Sequence, residues 1–283
     1  MHVEVNGTRL WFDVDGCELE PNGSVMRERP TVVLVHGGPG SYDHSYFKPY
    51  FSRLAAHAQV VYLDLRDHGR SQRHDALSWS FELCADDLRA FCEAVGINRP
   101  VVLGHSMGGF VAMLYGARYP GHAAALILQS TMARFNLDRL VEGFRGVAGD
   151  EVAELARRDY DGDPVTDAEW DLVFSAFGPH VPTRDELARR VRNPGVAVAG
   201  MWLMRHLDVV DQLSKITCPT LVCVGALDPV TAPSASREIA EALSTGVGRL
   251  AVIEQAGHFP WLDLPDRYWL LITTFLDSLH VQD

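Results

Sequence analysis

The chain is nearly without lysine and carries an excess of acid. Only two of its 25 basic residues are lysines, Lys48 and Lys215, and 37 acidic residues bring the net charge to −12. This balance disfavours the phosphate backbone of nucleic acids and the surface of an anionic membrane as partners. We therefore expect no nucleic acid and no membrane partner, and a small-molecule substrate instead. The sequence leaves the oligomeric state open, a homo-oligomer included.

Targeting signals, membrane spans and cysteine motifs are also lacking. The N-terminus has neither the basic nor the apolar region of a signal peptide. Apolar runs such as residues 123–128 are far too short to cross a bilayer. The five cysteines are an odd number without the spacing of a metal knuckle, which favours reduced thiols and a cytoplasmic location.

Apolar runs alternate with helical patterns along most of the 283 residues, and 47% of them are hydrophobic. An opening hairpin is predicted around Asn6-Gly7. Short runs without polar alternation predict buried strands at 31–35, 60–65, 101–103, 123–128, 221–224 and 250–253. Apolar spacing predicts helices at 46–56, 81–95, 110–119, 234–243 and 268–279. The predicted fold class is α/β, a mostly parallel central sheet with helices on both faces.

Residues 131–205 interrupt this alternation with helical patterns and no convincing buried strand. We predict a helical cap there, over the carboxyl edge of a core formed by residues 1–130 and 206–283. Nine acidic residues between Asp150 and Asp171 predict mainly a solvated face. The large apolar side chains of the segment could form its small core or a pocket wall: Trp170, Phe174, Phe177, Met201, Trp202 and Met204.

Ser106 is the candidate nucleophile. It lies in Gly-His-Ser-Met-Gly at residues 104–108, between a predicted strand and a predicted helix. Small residues on both sides let the backbone turn sharply and hold the serine in a strained, accessible position. The helix that follows places a positive dipole end where an oxyanion would form.

Two later loops supply a base and an acid. Asp228 follows the predicted strand 221–224, and His258 follows the predicted strand 250–253. Parallel strands bring these loops to the same edge of the sheet as Ser106. Because a serine hydroxyl needs a base to take its proton, we predict a triad of Ser106, His258 and Asp228.

The glycine-rich sequence at residues 36–40 follows the predicted strand 31–35. With the N–H group of Met107, the N–H group of Gly38 would complete an oxyanion hole. We expect His36 to fix its loop through side-chain hydrogen bonds. It also remains, with Gly37, His105 and Trp202, a candidate for contacting the substrate.

Over nearly its whole length the chain resembles the α/β-hydrolase superfamily, including its order of Ser, Asp and His. His-Gly-Gly-Pro-Gly at 36–40 resembles the oxyanion loop of prolyl iminopeptidases and their amidase relatives. The loop at 64–71 resembles one that many members share, although we expect Asp64 and Arg66 to form structural ion pairs. The turn around Ser106, Gly-His-Ser-Met-Gly at residues 104–108, differs from the Gly-Gly-Ser-Trp-Gly of iminopeptidases. It matches the corresponding turn of many esterases and lactonases. The acid position that some members use, after the strand ending near residue 128, offers only Gln129 and Ser130.

We therefore expect a serine hydrolase without metal or organic cofactor, acting on a small or medium, largely apolar ester, lactone or amide. One alternative is a prolyl iminopeptidase-like aminopeptidase or amino-acid amidase. For such an enzyme, the resemblance implies that acidic cap residues hold the substrate's amino group. Another is a ligand receptor or non-hydrolytic catalyst, because fold does not fix function.

Overall fold

A central sheet brings together strands from both ends of the chain. The computed structural model describes residues 1–279. The strands are β1 His2–Val5, β2 Thr8–Asp15, β3 Leu19–Asn22, β4 Val25–Glu28, β5 Thr31–Val35, β6 Gln59–Asp64, β7 Val101–His105, β8 Ala125–Gln129, β9 Thr220–Gly225 and β10 Gly248–Ile253. The helices are α1 Lys48–Phe51, α2 Phe81–Ala94, α3 Met107–Arg118, α4 Leu137–Asp161, α5 Asp167–Ser175, α6 Arg184–Ala188, α7 Pro194–Arg205, α8 Pro233–Ala242, α9 Pro260–Asp263 and α10 Pro265–Leu279.

The main sheet has eight strands in the order β1-β2-β6-β5-β7-β8-β9-β10. Strands β1, β2 and β6 pair antiparallel, and from β6 to β10 every neighbouring pair is parallel. Asn6 and Gly7 close the β1–β2 hairpin with φ of 45° and 70°, which a tight hairpin turn requires. The predicted α/β fold with a mostly parallel sheet is confirmed.

Both faces of the sheet are covered, because its parallel strands are apolar on both sides. In β5, Val33 and Val35 pack into a core with residues of α2 and α3. Val32 and Leu34 pack into a second core, with residues of α1 and α10. Runs of β-branched residues without polar alternation therefore predicted these strands well.

One local prediction differs from the structure, and one hairpin of the structure was not predicted. The helix predicted at 46–56 is a single turn, α1, between two 3₁₀ turns at His44–Tyr46 and Ser52–Ala56. Pro49 lies within α1, and proline has no N–H group to continue a helix that begins earlier. The hairpin β3–β4 was not predicted, because it is largely exposed and shows no apolar alternation.

The chain leaves the sheet after β8 and returns at β9, and α4–α7 lie between these strands. An antiparallel bridge between Arg134 and Asp208 joins the two ends of this insertion. Its helical content agrees with the expectation, whereas its separation from the core as a domain remains a prediction. Residues 280–283 of the predicted core range lie outside the described residues. Among the described residues, no helix is both long and apolar enough to cross a membrane.

Candidate active site

Ser106 occupies a strained turn between β7 and α3. Its φ of 54° and ψ of −121° lie in a region that residues other than glycine rarely adopt. The turn depends on its flanking glycines: a methyl group on Gly108 would collide with the carbonyl of Val35, and one on Gly104 with the carbonyl of Gly108. Hydrogen bonds hold the strained backbone, since the Ser106 N–H donates to the Gln129 carbonyl at 3.0 Å.

Asp228 and His258 form a buried hydrogen-bonded pair. The Nδ1 atom of His258 lies 2.9 Å from Oδ2 of Asp228, which also accepts the Thr231 hydroxyl at 2.7 Å. Oδ1 accepts the N–H groups of Val230 and Thr231, both at 2.9 Å. Burial acts to raise the pKa of Asp228, but the charge interaction with His258 and these hydrogen bonds outweigh it and hold that pKa below its ordinary value. Asp228 is therefore a carboxylate that orients the imidazole.

Ser106 and His258 line the same cavity. Within the part of the chain that the structure describes, no hydrogen bond joins the Ser106 hydroxyl to the His258 ring. Such contacts are often long without a ligand and tighten when the substrate binds. The bond from Asp228 leaves Nε2 of His258 as the ring nitrogen available to Ser106.

Two backbone N–H groups border Ser106 and have no acceptor among residues 1–279, those of Gly38 and Met107. Gly38 adopts φ of 51°, a left-handed conformation that suits glycine. The neighbouring Gly37 packs so closely that a Cβ there would lie 3.1 Å from Cβ of Ser106. The N–H group of Met107 belongs to the first residue of α3, where helix geometry leaves donors free.

Two buried histidines fix the glycine-rich loop. Nε2 of His36 accepts the Leu65 N–H at 3.2 Å, and Nε2 of His68 accepts the Gly40 N–H at 2.8 Å. Burial lowers the pKa of both rings, that of His68 to about 3, so both stay neutral. His36 is fully buried and does not line the cavity, so its contact with a substrate stays a prediction. The bond from the Leu65 N–H to His36 agrees with the expectation that His36 fixes its loop through side-chain hydrogen bonds.

The loop after β6 carries structural polar contacts. Arg66 forms two hydrogen bonds with Asp87, at 2.7 and 2.8 Å. Oδ1 of Asp64 accepts hydrogen bonds from the backbone N–H of His44 at 2.9 Å and from its ring Nδ1–H at 2.8 Å. With Asp43 these side chains form the one group of possible metal ligands found among the described residues. Asp43 and Asp64 both accept backbone N–H groups, and His44 donates its Nδ1–H to Asp64, so the group acts as a loop anchor.

The cavity above Ser106 measures about 130 Å³ and is lined by both the sheet edge and the insertion. From the sheet edge come Gly37, Gly38, His105, Ser106, Met107 and His258. From the insertion come Asp159, Tyr160, Trp170, Phe177, Met201 and Met204. Gly37 and His105 thus line the cavity, and their contact with a substrate stays a prediction. Trp202 is 57% exposed and packs on His206, outside the cavity, because it lies on the solvent side of α7.

Asp159 brings the insertion's one carboxylate to this apolar cavity. Its side chain forms no ion pair or hydrogen bond with any described residue. Burial raises its pKa, while the charge of Arg205 opposes that effect. The sequence showed Asp159 as one of nine neighbouring acids, and nothing in their spacing singled it out.

The chain is similar to known hydrolases over most of its length. A family model described as alpha/beta hydrolase fold matches residues 30–265. A proline iminopeptidase of Heyndrickxia coagulans is 24% identical, covering 98% of each chain. A pimeloyl-[acyl-carrier protein] methyl ester esterase of Neisseria meningitidis serogroup A is 29% identical, covering 88% of this chain and 77% of the esterase.

Among solved structures, a thermophilic esterase from Thermogutta terrifontis superimposes with a TM-score of 0.73 and 28% identity, covering 99% of both chains. Esterases and proline iminopeptidases are thus both relatives of this chain. Because the family model covers residues 30–265 and the relatives are esterases and peptidases, the chain belongs to the alpha/beta hydrolase fold family and is a hydrolase enzyme.

Proposed function

We propose that the protein is a serine hydrolase of small, largely apolar esters, lactones or amides. The observation that carries the proposal is the 2.9 Å bond between Asp228 and His258, a histidine that borders the same cavity as the strained Ser106. A serine becomes a useful nucleophile only beside an oriented base, and this arrangement supplies one.

In the proposed reaction the Ser106 oxygen attacks the substrate's acyl carbonyl carbon, and Nε2 of His258 takes the hydroxyl proton. Asp228 stabilises the imidazolium cation that forms. The negative charge that develops on the carbonyl oxygen is held by the N–H groups of Gly38 and Met107. One such donor contributes about 3 kcal/mol to transition-state stabilisation.

His258 then gives the proton to the leaving alcohol or amine, which departs and leaves an ester between Ser106 and the acyl group. Water enters the vacated space, loses a proton to His258 and attacks this ester. The acid is released and the proton returns to Ser106. Residues 131–205 act as a cap that shields these steps from bulk water.

The size and lining of the cavity support small substrates. Its volume of about 130 Å³ is close to that of a protein cavity that holds one benzene molecule, roughly 150 Å³. Aromatic and methionine side chains dominate the wall that the insertion contributes. We infer that the acyl group is a short chain or a single ring.

The test is labelling with a fluorophosphonate probe, located by mass spectrometry, together with turnover of p-nitrophenyl acetate, butyrate and octanoate. We expect the label on Ser106, faster turnover of the two short esters, and a loss on the order of 10⁴–10⁶-fold in Ser106→Ala. Ser236→Ala, a buried serine of α8, is the matched control and should retain turnover. Near-normal turnover by Ser106→Ala, or no label on Ser106, would contradict the proposal and favour the receptor or non-hydrolytic alternative.

The unpartnered Asp159 favours a second candidate, an aminopeptidase or amino-acid amidase. A carboxylate in an apolar cavity is costly to bury unless a cation pairs with it, and a substrate ammonium group would do so. The chain's proline iminopeptidase relatives are consistent with this activity.

Proline and alanine p-nitroanilides, each compared with its N-acetyl derivative, test this second candidate. An aminopeptidase should require the free amine, and Asp159→Asn should abolish that preference while sparing turnover of p-nitrophenyl acetate. Equal rates for the free and acetylated anilides would exclude it.

A further inference from the structure

Two buried side chains outside the proposed triad connect the loops that carry it. His105 ends β7 immediately before Ser106, and Tyr46 lies in the 3₁₀ turn His44–Tyr46. They are 2% and 3% exposed. Both border the cavity, yet the chemistry described above gives neither of them a task.

A continuous chain of hydrogen bonds runs through the two residues. The N–H group of Gly37 donates to the Tyr46 hydroxyl oxygen at 2.9 Å. The Tyr46 hydroxyl lies 2.9 Å from Nδ1 of His105, and Nε2 of His105 lies 3.0 Å from the backbone carbonyl of His258.

Elementary chemistry fixes the direction of every bond. A carbonyl oxygen only accepts, so Nε2 of His105 carries a hydrogen and donates it to His258. Burial lowers the pKa of His105 well below its ordinary value, so the ring is neutral and Nδ1 is an acceptor. Burial also raises the pKa of Tyr46, which therefore keeps the proton it donates to Nδ1.

The two ends of the chain lie next to the proposed reacting groups. Gly37 precedes Gly38, whose N–H group would hold the oxyanion. The carbonyl at the other end belongs to His258 itself. The N–H group of His258 donates to the Phe177 carbonyl at 2.7 Å, so backbone groups on both sides of the His258 Cα are held.

We propose that Tyr46 and His105 are positioning residues that keep the oxyanion loop and the His258 loop in a fixed relation to Ser106. The proposal rests on the serine-hydrolase function proposed above. Errors of about 1 Å in the placement of reacting groups cost up to about 100-fold in rate. A chain that ties all three loops together would prevent such errors.

Packing alone is the competing explanation, because Tyr46 stacks on Phe47 at 4.3 Å and His105 meets Trp261 edge-on at 4.9 Å. Tyr46→Phe separates the two explanations, since phenylalanine keeps the ring and removes only the hydroxyl group. Nδ1 of His105 and the N–H of Gly37 then both lose their partner.

Turnover of p-nitrophenyl acetate, normalised to the fraction of Ser106 that a fluorophosphonate titrates, is the measurement. Tyr46→Phe should lower kcat about 10- to 100-fold and change KM less than about threefold. Tyr115→Phe is the matched control, because Tyr115 is an equally buried tyrosine that bonds Nδ1 of His122, away from the cavity. It should lower the melting temperature similarly and leave normalised kcat within about twofold.

A double variant tests the continuity of the chain. Gln at position 105 can still offer an N–H to the His258 carbonyl, but it has no ring Nδ1 for Tyr46. If the bonds act as one unit, Tyr46→Phe with His105→Gln should lose no more than about twofold beyond the worse single variant.

Normalised kcat of Tyr46→Phe within twofold of the wild type, or fully additive losses in the double variant, would overturn the proposal. Failure of the proposed function looks different: the wild type itself would carry no label on Ser106, and Ser106→Ala would keep its turnover.

Discussion

Replacing Asp228 by asparagine tests the proposed triad most directly, because the structure dictates how the amide must bind. An asparagine has one acceptor oxygen where Asp228 has two. If its NH₂ group faced the N–H groups of Val230 and Thr231, these buried N–H groups would lose their acceptor. Each unsatisfied N–H group would cost about 1–3 kcal/mol. The amide oxygen should therefore take that side, and the NH₂ group should point at Nδ1 of His258.

The consequence is the wrong imidazole tautomer. When Nδ1 accepts from the amide, the ring hydrogen moves to Nε2, which then cannot take the proton of Ser106. A triad held in this tautomer loses about 10⁴-fold in kcat, the loss known for the corresponding change in a serine protease. By transition-state arithmetic this is roughly 5.5 kcal/mol. The shape of the site should be preserved, so KM should change little.

The assay is kcat normalised by active-site titration, together with ¹⁵N NMR of the His258 ring to observe the tautomer. The matched control is Asp87→Asn, which removes a buried carboxylate that pairs with Arg66 at 2.7 and 2.8 Å. It should lower stability and leave normalised kcat unchanged. A loss below about tenfold in Asp228→Asn, with the ring hydrogen still on Nδ1, would refute the reasoning.

Three further changes have defined outcomes. Burial raises the pKa of Asp159, so its ionised form disfavours folding above that pKa; Asp159→Asn should raise the melting temperature at pH 7 and have no effect near pH 3. Oδ2 of Asp263 accepts the Gly257 N–H at 2.7 Å, and Oδ1 accepts the N–H of His180 in the proposed cap at 2.7 Å. Asp263→Ala removes both acceptors and should speed hydrogen exchange in both segments, and unchanged exchange would contradict this. Gly108→Ala should cost about 1–3 kcal/mol of unfolding free energy through backbone collision, whereas Gly146→Ala, with open space around it, should cost nothing.

The sequence was informative wherever one segment determines its own structure. The strand 31–35 was predicted with its observed bounds, because a β-branched run fits a strand buried on both faces. The Ser106 turn was predicted because its flanking glycines permit a turn that larger residues would block. Asp228 and His258 were paired because the carboxyl ends of parallel strands meet at one edge.

Properties that depend on contacts between distant segments could not be predicted. His36 and His105 both flank glycine-rich or small residues in the sequence, yet only His105 reaches the cavity. Tyr46 lies in a region predicted as a regular helix, so its hydroxyl had no predicted partner. Among the acids of α4, Asp159 is distinguished by the direction it faces, which the packing of the insertion decides.

The structure separates the groups proposed for the chemistry from those that would select the substrate. Three proposed catalytic side chains and the two free N–H groups come from the sheet edge, from its loops and the first residue of α3: Ser106, His258, Asp228, Gly38 and Met107. The insertion contributes apolar surface and the single carboxylate of Asp159. Under the second candidate function, Asp159 is the group that would favour a free-amine substrate over a neutral ester, and removing its charge should leave the proposed triad intact. If the wild type prefers a free amine, Asp159→Asn should gain stability and lose that preference together. A variant that gained stability while keeping the preference would show that another group recognises the amine.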